Sequence, residues 1–141
     1  MSQTIKTEYN ASSNTIEVIV PANYSMDELF IALGRCISEL PPNRTFNILV
    51  DAMASEVNRD LAEIRAFIKR SAGLNDRVIR VAIMVNRLLH FGLGNQAATY
   101  AAMEGFSVKP FWNRSSADKW LQQTGDFTQE RSSWGEGNQA R

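Results

Sequence analysis

The apolar positions of this chain switch between a period of two and a period near 3.6, and the switches predict alternating strands and helices. Ile5, Thr7 and Tyr9 alternate with polar neighbours. Ile16, Val18 and Val20 do so again after the turn-forming run Asn10-Ala11-Ser12-Ser13-Asn14. This reads as an antiparallel hairpin, ended by Pro21, which has no amide to donate. Ser25 and Glu28 then have the spacing of a capping box, a hydroxyl at the cap and a carboxylate three residues on. Met26, Leu29, Phe30, Leu33, Ile37 and Leu40 follow on one helical face until Pro41-Pro42 stops the helix. Gly34 is expected to let this helix lie close to a sheet.

Phe46-Asn47-Ile48-Leu49-Val50-Asp51 departs from both periods. Four of its first five residues are apolar, too continuous for a strand with one wet face. Such a run fits a central strand of a parallel sheet covered on both sides. A loop follows. Asn58 is expected to cap a helix carrying Leu61, Ile64, Phe67 and Ile68, with Gly73 as its stop. Residues 78–85 read as a strand with Ile79, Val81, Ile83 and Val85 facing one way. Residues 88–104 read as a third helix ended by Gly105, with Leu89 and Leu93 on its inner face and Phe91 almost opposite. Phe106, Val108 and Pro110 suit an edge strand. Ser115-Ser116-Ala117-Asp118 opens a short last helix with Trp120 and Leu121. Residues 124–141 carry little to bury and are expected to form a poorly ordered polar tail. The order is β-β-α-β-α-β-α-β-α. Right-handed crossovers would set strands two to five side by side and parallel, with the first strand antiparallel at one side.

Composition narrows the function classes. A length of 141 residues fits one domain, and 44% apolar with 21% charged residues is ordinary for a globular chain. Fifteen basic and fifteen acidic residues cancel, which speaks against a nucleic-acid binder. The single cysteine, Cys36, excludes an internal disulfide and a cysteine-based metal site. Residues 1–9 are polar, unlike a signal peptide, and no run approaches the ~18 apolar residues of a spanning helix. These features lead to an expected cytoplasmic protein without stable membrane insertion, metal or cofactor.

Three features carry a resemblance to the SpoIIAA-like fold of STAS domains, closest to the bacterial branch related to CRAL-TRIO lipid-binding domains. They are the hairpin leading to a helix at Ser25, the apolar strand Ile48-Leu49-Val50-Asp51, and Ala117-Asp118-Lys119-Trp120-Leu121 after Phe111, similar to a closing "A-x-x-W-L" helix. The resemblance covers roughly residues 3–123, and the domain is expected to span residues 1–123. It implies a single α/β domain with a mixed five-stranded sheet and four helices. It also implies a non-catalytic binding or regulatory module: a protein partner in bacterial signalling, or alternatively a small apolar ligand or lipid. Signalling members carry an Asp-Ser-[Ser/Thr]-Gly phosphorylation motif at the start of the second helix. Here Glu56-Val57-Asn58-Arg59-Asp60-Leu61 stands in its place, so phosphorylation is not expected.

Candidate site residues lie where open α/β sheets bind ligands, beyond the C-terminal strand ends. They are Asp51, Met53, Ser55 and Asn58 after the central strand, and Asn86, Arg87, His90 and Phe91 after the next one. Asp51 with His90 would be the acid–base pair of an enzyme, the third reading. Against it stand a turn-shaping Asp51 and a surface His90. Lys69, Arg70, Arg77 and Arg80 form a basic cluster, read as solvated and helix-terminal charge. Phe91 beside Gly92 and Gly94 predicts a homodimer through residues 87–94, where a second backbone could approach closely.

Overall fold

The computed structural model describes residues 4–123, so the tail expected at 124–141 lies outside the described residues. The elements are β1 (Lys6–Asn10), β2 (Thr15–Ile19), α1 (Met26–Ser38), β3 (Phe46–Asp51), α2 (Leu61–Arg70), a 3-10 turn (Ala72–Leu74), β4 (Val78–Met84), α3 (Leu88–Met103), β5 (Val108–Phe111) and α4 (Arg114–Leu121). They form a five-stranded sheet ordered β1-β2-β3-β4-β5. β1 pairs antiparallel with β2, and all later pairings are parallel. The expected α/β topology is present. The hairpin closes through Asn14, whose φ of 53° is a left-handed value that asparagine tolerates.

The sheet is covered unequally. Ile16, Val18, Phe46, Ile48 and Val50 face the larger core, with Leu29 and Ile37 of α1, Ile68 of α2 and Ala97 and Ala101 of α3. Leu49, Ala82, Met84 and Phe111 face a smaller core closed by Ala117, Trp120 and Leu121 of α4. β3 is therefore apolar on both faces because helices cover both, which accounts for its unbroken run.

Helix starts follow local chemistry. Ser25 Oγ accepts the Glu28 amide at 3.0 Å, and the Glu28 carboxylate accepts the Ser25 amide at 2.7 Å, so the capping box forms. The cap of α2 is Asp60 rather than Asn58: its carboxylate accepts the Glu63 amide at 2.9 Å. An ionised cap at the positive end of the helix is the stronger acceptor, and Asn58 is released for another role. α2 ends at Ser71, and Gly73 falls inside the 3-10 turn instead of stopping the helix. Gly105 ends α3 at φ 88° as expected.

Four other expectations are corrected. A β-bulge in β4 lets Val78 and Val81, three residues apart, pair with Phe46 and Ile48, two apart. Val78 thus joins Val81 and Ile83 in the larger core, displacing Ile79. Arg80 is buried on the opposite face at 2% exposure, and its Nη1 donates to the Trp120 carbonyl at 2.8 Å. It is an internal strut, not a solvated charge. Finally, α3 buries His90, Gly94, Ala97 and Ala101, while Leu89 stands 56% exposed. Gly34 has open space around it and permits no close approach.

Candidate functional site

Between the sheet and the layer of α1, α2 and α3 lies a cavity of about 250 Å³. Its walls are apolar: Leu33 and Phe30 from α1, Phe67 from α2, Leu93 and Ala97 from α3, and Ile83 from β4 are typical. Interiors are normally packed as densely as organic crystals, with few voids larger than a water. An opening of this size is therefore a feature of the fold. It arises because α3 presents glycine and alanine to the sheet, while the larger apolar side chains of α1 and α2 line the opposite wall.

Apart from Ser71 after α2, the polar groups of the lining gather at one end, where the strands finish. Ser55 and Arg59 come from the loop after β3, His90 from the first turn of α3, and Tyr24 from the loop before α1. Ser55 is buried, and its Oγ accepts the Val57 amide at 3.4 Å. Arg59 packs its guanidinium over the Tyr24 ring at 4.6 Å, donates to the Tyr24 carbonyl and pairs with Glu63 at 3.6 Å. His90 is buried, correcting the expectation of a surface histidine. Its Nε2 lies 3.2 Å from Asn58 Oδ1; an amide oxygen only accepts, so Nε2 carries the proton. Burial, and then the positive charge of Arg87, push the His90 pKa below its ordinary value, against a hydrogen bond to the Val57 backbone. The ring is neutral at pH 7.

The sequence candidates divide. Ser55 and His90 line the cavity, and Asn58 orients His90 from its exposed rim. Asp51 does not reach His90: its carboxylate accepts the Met53 amide at 3.1 Å, shaping the turn. Met53 packs against the smaller core across the sheet. Asn86 and Arg87 are exposed at the start of α3, and neither lines the cavity. Phe91 stacks on Trp112 of its own chain, ring centroids 4.6 Å apart and planes 3° from parallel. Gly94 faces Pro110 of the same chain, not a second copy. Arg59 was not singled out by sequence reasoning. Its only signal was position, between a strand end and the cap of the next helix. Burial pushes the Cys36 thiol pKa up, followed by Glu39, so the thiol stays protonated. Among the described residues, no group of three or more His, Cys, Asp and Glu side chains could hold a metal ion. Nor is any helix there long and apolar enough to cross a membrane.

No family model matches this sequence, and no curated protein matches it. Among solved structures it is similar to an uncharacterised protein of the DUF3478 family with a SpoIIAA-like fold, from Shewanella loihica PV-4. The two share 16% identity over 86% of this chain and 96% of that one, with a TM-score of 0.62. The superposition spans nearly the whole of both chains, and this chain has a SpoIIAA-like fold.

Proposed function

We propose that this chain is a non-catalytic binding module that holds a small apolar ligand in the cavity beneath α1, α2 and α3. The cavity itself carries the reading. An engineered apolar cavity of roughly 150 Å³ stays dry and binds benzene, and the 250 Å³ here has the same chemistry with more room. At the same volume per carbon it accommodates about ten carbon atoms. The resemblance to CRAL-TRIO domains implies a ligand of this class. Asp51 is engaged by the Met53 amide, Ser55 Oγ by the Val57 amide and His90 Nε2 by Asn58, and Cys36 is held protonated, so none of them forms a nucleophile–base pair, which favours binding over catalysis.

Naphthalene and 1-decanol, two uncharged ten-carbon probes, test this by calorimetric titration. Both are expected to bind the wild-type protein saturably. Ala97→Leu, which fills the cavity from its α3 wall, is expected to weaken both at least tenfold while leaving the circular dichroism spectrum unchanged. Failure of both probes to bind the wild type would remove the cavity as a ligand site.

One observation favours a docking role in addition. Leu88 is 80% exposed and Leu89 56%, both in the first turn of α3, and Trp112, which stacks on Phe91, is 45% exposed. Two consecutive exposed leucines at a helix start are more than a single scattered surface leucine. The homodimer proposed for residues 87–94 would now use Leu88, Leu89 and Trp112 rather than Phe91 and the glycines. Light scattering at high micromolar concentration is expected to show a dimer that Leu88→Ser with Leu89→Ser dissociates. A wild-type monomer would dismiss it.

A further inference from the structure

Resting on the ligand reading above, we infer that the occupant is an amphiphile with a carboxylate head: a monocarboxylic acid of about ten carbons. Its head would be held by Arg59 and Ser55 and its chain laid along the cavity.

The inference starts from the charge of the lining. Arg59 is its charged residue, and no aspartate or glutamate is among the described residues that line the cavity. The Arg59 side chain is only 13% exposed. A guanidinium set against apolar walls is costly unless an anion or hydrogen-bond acceptors surround it. Its acceptors are incomplete. The Tyr24 carbonyl takes one terminal nitrogen, and Glu63 stands 3.6 Å from the other on the more exposed side. Nε is buried with no hydrogen-bond partner. Buried donors are nearly always satisfied, so an orphan in a cavity wall marks the place of a missing acceptor.

Ser55 supplies a second donor. Its Oγ accepts the Val57 amide, which leaves the hydroxyl hydrogen to donate. One N–H and one O–H match the two oxygens of a carboxylate. A phosphate monoester fits less well: it would bring up to two negative charges beside Glu63, whose carboxylate already shares Arg59. An ammonium head would place like charge against Arg59. From this polar end the chain would run between α1 and β4 toward Leu74, Val78 and Phe106, which line the opposite end.

Titration of the wild-type protein with sodium decanoate, 1-decanol and decylamine at pH 8, each below its micellar concentration, tests the head directly and needs no mutant. Decanoate is expected to bind at least tenfold more tightly than 1-decanol, and decylamine more weakly than either. In Arg59→Gln the decanoate preference is expected to vanish while 1-decanol affinity stays within twofold. Ser55→Ala is expected to weaken decanoate alone, by severalfold. Should Arg59→Gln fail to fold, the wild-type series and Ser55→Ala still decide. Equal or tighter binding of 1-decanol by the wild type overturns the carboxylate head and leaves the cavity reading standing. Undiminished decanoate preference in Arg59→Gln overturns the role of Arg59. Binding of none of the three overturns both readings together.

Discussion

Arg80→Ala is expected to destabilise the domain by roughly 2–5 kcal/mol, the range for emptying a buried site and orphaning its partner. The domain's whole stability is of order 5–15 kcal/mol, so the loss is a large share of it. Arg80 projects from β4 beside the bulge into the smaller core, 2% exposed. Its Nη1 donates to the Trp120 carbonyl at 2.8 Å and reaches the Gln123 carbonyl at 3.5 Å. Both oxygens sit at the C-terminal end of α4, where helix carbonyls lack intrahelical donors and the dipole is negative. The guanidinium also lies 5.5 Å from the centre of the Trp120 ring. One side chain thus caps a helix, neutralises its end and fills the space beneath it. Alanine removes all three. Arg80→Met keeps most of the volume and loses the donors, so its cost should fall between wild type and Arg80→Ala. Urea denaturation of the three proteins measures this. A loss below about 1 kcal/mol for Arg80→Ala, the level of an ordinary surface change, would show that α4 docks without it.

Legibility in the sequence tracked how local each cause was. The capping box at Ser25 and the left-handed stop at Gly105 need only their own few residues, and both were read directly. The unbroken run of β3 was read because its cause, helices on both faces, leaves a mark in every residue of the strand. What failed depended on neighbours distant in the chain. Arg80 resembles any surface cation until α4 is brought against β4. His90 seems exposed until Asn58, 32 residues away, meets its ring. Leu89 outranks Ala97 in hydrophobicity, yet α3 turns its small residues inward, where Gly94 meets Pro110 of β5 and Ala97 borders the cavity. The bulge in β4 shifts one residue and exchanges Ile79 for Val78, which no strict period of two can anticipate. The cavity was least legible of all. Leu33, Phe67 and Ile83 would look the same in a filled core, and empty space has no residue to announce it. Ser55, Asn58 and His90, which lie at the polar end of the cavity or against it, were among the candidates because strand ends are where open α/β sheets place ligands. The same rule also selected Asp51 and Met53, which serve the turn and the other core.

The close seating of α3 leads to the second large effect, at Gly94. A Cβ placed there would lie 2.7 Å from Pro110 Cβ and 3.1 Å from its Cγ. Carbon atoms in contact sit near 3.5–4.0 Å. The proline ring cannot rotate away as a flexible side chain would. Either α3 must lift or β5 must move. Gly94→Ala should therefore cost about 1–3 kcal/mol, as overpacking does, even though alanine is favoured over glycine in a helix by about 1 kcal/mol. Gly92 is the internal comparison. It lies two residues earlier on the same helix, is exposed, and has nothing within 4 Å of a built Cβ. Gly92→Ala should stabilise by up to about 1 kcal/mol, since only the helix-propensity gain remains. The two substitutions are chemically identical, so opposite signs in thermal or urea denaturation isolate the contact with Pro110. Gly94 also lines the cavity. Lifting α3 to relieve the clash would change the cavity's width, so naphthalene affinity should change in Gly94→Ala and stay constant in Gly92→Ala. Two stabilising results would mean that α3 is not pressed against β5 at Pro110. Cavity width would then have to be set elsewhere along the helix.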